Sequence, residues 1–293
     1  MIDAGTQALL PVRDYDLAAT LGCGQTFRWT QRDGVWEGVI DQRWVRLRST
    51  ERGIEATTAQ AVNDWQWLTD YLQTNLNLGS VLLTFPDDGP MRAAVAHCRG
   101  LRLLRQDPWE CLASFILSST KQIVQIQQII ALLCERFGEP LLTPPGALLT
   151  RAFPTVERLA SATEAELRAC KMGFRAPSLL AAARRIASRE LDLESLRHLD
   201  VNAAREALVS LRGVGDKIAN CALLFSHGFQ QAFPIDVWVM KALRQLYFPK
   251  RRPTPQRLLN FTSTHFGPNA GYAQQYLFHY MRTRKERNSD EQR

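Results

Sequence analysis

The sequence predicts an α+β protein: a small antiparallel sheet at the start, then a long helical body. Two observations carry this. Over the first 56 residues, short runs rich in aromatic and β-branched residues ("TFRWT", "VWEGVI", "RWVRLRST", "GIEATT") alternate with the turn-forming stretches "QRDG", "DQ" and "ERG". From about residue 57 the apolar spacing becomes helical and remains so to the C-terminal region.

The helical segments follow in order. "AQAVNDWQWLTDYLQTNL" carries an apolar stripe, and "DPWECLASFILSS" and "KQIVQIQQIIALLCERFG" come next. Gly138 reads as the left-handed residue that ends the last of these. Thr163 and Glu166 have the spacing of a capping box, with Gly173 as the stop. "APSLLAAARRIASRE", "NAAREALVSL", "DKIANCALLFSHG", "DVWVMKALRQLYF", "TPQRLLNFTSTHFG" and "NAGYAQQYLFHYMRTRKER" complete the body. The expected division is residues 1–100 for the sheet domain with flanking helices, 101–285 for the helical domain, and 286–293 for a frayed, charged tail.

The chain has 293 residues, 45% of them hydrophobic, and a net charge of +7, which favours a polyanionic partner without proving one. No apolar run reaches membrane-spanning length, and the start "MIDAGTQALL" lacks the basic region of a signal peptide. The six cysteines are scattered without a CxxC pair, a pattern suited to reduced thiols and not to zinc or an iron–sulfur cluster. The expectation is an intracellular monomer that does not engage membranes.

"LRGVGDKIANC" between two helical patterns reads as helix, tight hairpin, helix. Gly213 and Gly215 would supply positive φ or close backbone approach, and the N–H groups opening the second helix would face a phosphate. Lys217 shares a helix face with Cys221 and Leu224. Burial on such a face favours the neutral amine that a nucleophile needs, while an exposed lysine would contact phosphate. On the chemistry alone both readings stand. Asp236, after "FP", reads as a helix N-cap whose dipole and backbone donors keep the carboxylate ionised. It either only caps or also stabilises a developing cation on a sugar.

Taken together, "LRGVGDKIANC…FPIDVW" resembles the helix-hairpin-helix–Gly/Pro–Asp signature of DNA base-excision glycosylases. The lysine is the mark of members with both glycosylase and β-lyase activity. The missing four-cysteine cluster sets the chain apart from the endonuclease III and adenine-mismatch branches. "GQTFRW", "GLRLLRQDPWECLASFILSS" and "GPNAGYAQQYLF" resemble, in order, blocks of the 8-oxoguanine DNA glycosylases. The resemblance implies a base-excision repair enzyme acting on duplex DNA that contains oxidised guanine. It would reside in the cytoplasm or nucleoid of a bacterium, or in a eukaryotic nucleus.

It also implies roles. Lys217 would attack C1′ and form a Schiff base, with Asp236 as electrostatic and proton-handling partner. The Gly24 carbonyl would accept the N7–H that only the oxidised purine has, Gln274 would read the pairing edge, and Phe278 and Cys221 would sandwich the base. "KMGFRAP" resembles the wedge segment, so Phe174 and Arg175 would press beside the vacated stack; phenylalanine stands where the family has tyrosine. No cofactor is required, and the hairpin carbonyls of Val209, Leu211 and Val214 would offer a seat for a monovalent cation.

The chain departs from the family after "FILSS". Thr120, Lys121 and Gln122 stand in place of three asparagines, and Gln125 in place of an arginine that reads the opposite cytosine. A neutral glutamine makes no charge-assisted fork, so the expected opposite-base preference is relaxed, with Gln122 or Lys121 substituting. Trp238 replaces a histidine that contacts phosphate and would offer backbone or indole N–H instead. The alternatives are a monofunctional or broader-range glycosylase of alkylated or other oxidised purines, a non-catalytic helix-hairpin-helix binder, and a basic helical protein with no specific DNA binding.

Overall fold

A computed structural model describes residues 6–118, 122–250 and 253–290, with side chains to Arg284. Thr120 and Lys121 lie outside the described residues. Five antiparallel strands form one sheet in the order β1-β5-β4-β3-β2: β1 (Thr6–Pro11), β2 (Trp29–Arg32), β3 (Val35–Ile40), β4 (Arg43–Thr50) and β5 (Gly53–Thr58). β2 and β3 meet at Asp33-Gly34, both at positive φ (52° and 76°), the geometry that matches strand twist in a two-residue hairpin. β1 was not evident in the sequence pattern; its register against β5 (Leu10 opposite Ile54) makes it the sheet's other edge.

The inner face of the sheet is closed by α1 (Leu17–Gly22), capped by Asp16, and by α2 (Gln66–Leu72). Trp29, Trp36, Leu47, Leu68 and Leu72 form this smaller core. α2 begins later than the apolar stripe suggests, and it ends where Gln73 turns left-handed at φ 55°. Within the sheet, Gly38 lies opposite Trp29, and a Cβ there would fall 2.4 Å from the indole ring. The glycine makes room for Trp29, whose Nε1–H donates to the Tyr71 hydroxyl at 3.0 Å.

The body continues through α3 (Leu78–Leu82), α4 (Gly89–His97), α5 (Pro108–Leu117), α6 (Ile123–Phe137), α7 (Val156–Ala160) and α8 (Glu164–Leu167). α9 (Ala176–Ala187), α10 (Val201–Val209), α11 (Asp216–Ala222), α12 (Val237–Ala242), α13 (Pro255–His265) and α14 (Ala270–Asp290) complete it. No helix among the described residues is long and apolar enough to cross a membrane. Almost every residue of α5 is buried, so it is the axis of the larger core. The six cysteines are all buried free thiols.

Three expectations need correction. Gly138 is extended (φ −79°, ψ 145°), not left-handed; a Cβ there would meet the Ala152 carbonyl oxygen at 2.1 Å, so close chain approach requires the glycine. Gly215 is also extended (φ −107°), and a Cβ there would meet nothing. α14 runs on to Asp290, into the segment expected to be a charged tail.

Gly38→Ala is expected to displace the Trp29 ring and destabilise the sheet by about 1–3 kcal/mol, the usual cost of overpacking. The check is the urea midpoint, which should fall at unchanged slope.

Candidate active site

The site is built where the end of α1 meets the larger core. Gly24 turns at φ 78°, and its place is fixed by the next residue. Gln25 is fully buried, and its amide is used on both sides: Nε2–H donates to the Thr20 and Arg102 carbonyls (2.8 Å each), while Oε1 accepts from Leu104 N–H at 2.9 Å. Gln106 ties the loop to the helical body, donating its side-chain N–H to the Gln25 carbonyl (2.7 Å) and its backbone N–H to the Phe225 carbonyl (2.8 Å). A buried ion pair, Arg28 to Glu110 at 3.3 Å, holds the following segment to α5.

The hairpin comes from α10, capped by Asp200, and a tight turn in which Val214 N–H donates to the Leu211 carbonyl at 3.1 Å. Gly213 sits at φ 78°; a Cβ there would lie 2.4 Å from Ser178 Oγ and 3.7 Å from an Arg175 nitrogen. α11 then starts, and its second residue is Lys217. The lysine is half-buried, donates from Nζ to Ser118 Oγ at 3.0 Å, and lies 5.0 Å from the centre of the Phe115 ring.

Asp236 opens α12, where its Oδ1 accepts from the backbone N–H groups of Trp238 (3.0 Å) and Val239 (2.8 Å). The cap alone would hold the carboxylate ionised. Burial works the other way and prevails, pushing its pKa above the ordinary 3.8 despite those donors and the nearby Lys217 charge. Burial likewise pushes the Cys221 thiol up to about 11, with Lys217 pulling it down and Asp236 raising it further.

One cavity of about 50 Å³ brings Gly24, Lys217, Cys221, Asp236, Gln274 and Phe278 together, against Phe115, Phe225 and Pro234. Gln274 and Phe278 are successive turns of α14. Gln274 is 3% exposed and its Oε1 has no hydrogen-bond partner, so a buried acceptor is left unpaired at the cavity. Among the described residues none donates to the Gly24 carbonyl either. Ile123, at the start of α6, packs beside Gly24: its Cδ1 would stand 3.0 Å from a Cβ there.

The remaining sequence candidates lie outside this cavity. Phe174 is 60% exposed after a kink with Lys171 and Gly173 at positive φ, and the Arg175 guanidinium covers its ring at 4.7 Å. Gln122 and Gln125 are exposed at the start of α6, where Gln125 Oε1 accepts from Gln122 N–H at 3.1 Å; the carboxamide oxygen is occupied in capping. Trp238 carries the Lys241 ammonium 5.5 Å from its ring centre. At the hairpin, the Val209 and Val214 carbonyls accept no backbone hydrogen bond among the described residues, and Leu211 accepts one, so each keeps a lone pair fit for a cation. Sequence reasoning missed Ser118, Gln25, Gln106 and Lys241. Only the last carried a signal, its i, i+3 spacing from Trp238.

Comparison with known proteins gives the family. Residues 8–112 match the N-terminal domain of 8-oxoguanine DNA glycosylase, and residues 113–265 match the HhH-GPD superfamily of base excision DNA repair proteins. The chain is 30% identical to a probable N-glycosylase/DNA lyase of Methanothermobacter thermautotrophicus, over 93% of this chain and 95% of the relative. Against the Arabidopsis thaliana N-glycosylase/DNA lyase OGG1 the identity is 29%, over 94% and 80% of the two chains. The Clostridium acetobutylicum 8-oxoguanine glycosylase/lyase, solved with duplex DNA bearing cytosine opposite 8-oxoG, superposes with a TM-score of 0.86 at 30% identity, covering 95% of this chain and 98% of that one. The 3-methyladenine DNA glycosylase of Archaeoglobus fulgidus shares the fold at a TM-score of 0.78 and 22% identity, covering 95% of this chain and 98% of that one. With a lysine amine, a carboxylate and an unpaired amide oxygen around one cavity beside a glycine hairpin, the chain belongs to the helix-hairpin-helix superfamily of base excision DNA repair proteins, in the branch of the 8-oxoguanine DNA glycosylases.

Proposed function

We propose that the protein flips 8-oxoguanine out of duplex DNA, excises it, and cleaves the strand through a Schiff base on Lys217. The observation that carries this is the meeting of Lys217 and Asp236 on the walls of one small cavity with Gly24 and Gln274. The neutral Lys217 amine attacks C1′; the N–C1′ bond forms as the bond to the base breaks, and the base leaves with the electron pair and takes up a proton. The sugar ring then opens to an iminium, and loss of a C2′ proton expels the 3′ phosphate. The Asp236 carboxylate offsets the positive charge that develops on the sugar.

The Gly24 carbonyl meets N7–H on the oxidised base and a lone pair on guanine. That mismatch costs about 1–3 kcal/mol. Gln274 meets the pairing edge, and Phe278 and Cys221 lie against the two faces. Phe174 and Arg175 fill the gap in the stack, while the hairpin at Gly213 and Gly215 engages the backbone. A monovalent cation on Val209, Leu211 and Val214 would add positive charge at that contact. Trp238 and Lys241 extend the phosphate contacts along α12. With Gln125 turned into a helix cap, discrimination of the opposite base is relaxed. The enzyme works as a monomer inside the cell, with residues 1–100 supplying Gly24 and residues 101–285 the hairpin.

Borohydride trapping on duplexes with 8-oxoguanine opposite each of the four bases tests the reading. Wild type is expected to give a covalent adduct with little dependence on the opposite base, and Lys217→Gln none. An abasic product without an adduct would overturn the lyase step, and neither product would overturn the substrate. Lys241→Ala should weaken binding about equally across sequences and reduce the slope of log K against log salt by about 1; an unchanged slope rules out a phosphate contact.

Asp236 gives a pH prediction. Because its pKa is higher in the folded protein than in the unfolded chain, wild type loses stability as pH rises above the ordinary 3.8 through the raised value. Asp236→Asn keeps the cap acceptor and has no charge to bury. It should melt above wild type at neutral pH and level with it below about pH 3.8, with excision abolished. Equal melting at neutral pH would refute the raised pKa.

A further inference from the structure

We propose that Ser118 is a positioning residue for the Lys217 amine, an inference that rests on the reading of Lys217 as nucleophile. Ser118 is the C-cap of α5, and its hydroxyl is committed in a definite sense. The Oγ–H donates to the Phe115 carbonyl at 2.8 Å, so toward Lys217 the oxygen only accepts, and Nζ–H donates to it at 3.0 Å. The ring of Phe115 lies beneath the amine at 5.0 Å. That ring cannot drift, being stacked on Phe225 (5.6 Å, 21°) and met edge-on by Phe27 (5.6 Å, 71°).

Lysine has four rotatable bonds, and a free amine at the end of them is poorly aimed. Here one N–H is directed toward Ser118, away from the cavity that Cys221, Asp236 and Gly24 line. When the amine is neutral, that hydrogen bond keeps its lone pair off Ser118 and free for the space a flipped sugar enters. The arrangement serves the attack on C1′ and contributes nothing to holding DNA, because the partner of the amine is protein. Correct aim of a nucleophile is a large part of what an enclosed site contributes to rate.

The test compares wild type, Ser118→Ala, Ser118→Thr and Lys217→Gln by single-turnover borohydride trapping at saturating protein, with DNA affinity and melting temperature measured on each. The expected result is a roughly tenfold slower adduct for Ser118→Ala, the rate equivalent of about 1.4 kcal/mol, at unchanged affinity. Ser118→Thr, which restores a hydroxyl, should recover most of the rate. An alanine variant as fast as wild type overturns the proposal. So does a slow alanine variant that melts early, binds DNA weakly and is not rescued by threonine, since that pattern is general damage to α5. An adduct persisting in Lys217→Gln overturns the nucleophile assignment and this inference with it. An absent adduct in Lys217→Gln beside an unaffected Ser118→Ala removes Ser118 alone.

Discussion

The structure depends on the saturated amide of Gln25. A carboxamide with no solvent contact, donating to two carbonyls and accepting from a third residue's N–H, cannot shift without leaving several buried groups unpaired. Those partners lie on α1 and on the extended segment entering α5, and Gln106 adds a link to Phe225, in the turn that follows α11. The sheet domain and the helical body are thereby locked around one residue, and Gly24 is its immediate neighbour. Position at the site is thus inherited from a polar network in the core, not from the loop's own conformational preference.

Against that rigid frame the cavity carries two unmet demands: Asp236 is held where burial disfavors its charge, and the Gln274 oxygen lacks a partner. Each feature costs stability, and each would be relieved by a ligand with a positive sugar and a polar edge. Local departures from good packing and pairing are tolerated where function draws on them. The surroundings compensate through close packing of α5, α11 and α14.

How far the sequence revealed this varies with how local each feature is. The hairpin, the capping box at Thr163 and the cap at Asp236 are contiguous patterns, and all are present. β1 escaped because an edge strand of six residues alternates too weakly to stand out. Gly138 and Gly215 were read through backbone preference, yet a neighbouring chain decides the first, and at the second nothing nearby excludes a side chain. Gly24 and Gln274 meet across 250 positions, so only resemblance could pair them. Ser118 and Lys217, 99 positions apart, had no such help. At Asp236 the cap is visible in the sequence, whereas the depth of burial that raises its pKa is not.

The contact between Gly213 and Ser178 links two parts that, under the proposed reading, touch DNA in different ways. With no Cβ on Gly213, the hairpin packs directly on α9, and Arg175 beside it carries Phe174. The hairpin and the exposed Phe174 ring are therefore mounted on one stiff bracket. Under the proposed reading, seating the hairpin on the sugar–phosphate backbone presents the wedge to the base stack at a fixed depth in the same motion. Under the same reading, a backbone contact is also a mechanical probe of how firmly the adjacent pair is stacked, made before any base has reached the pocket.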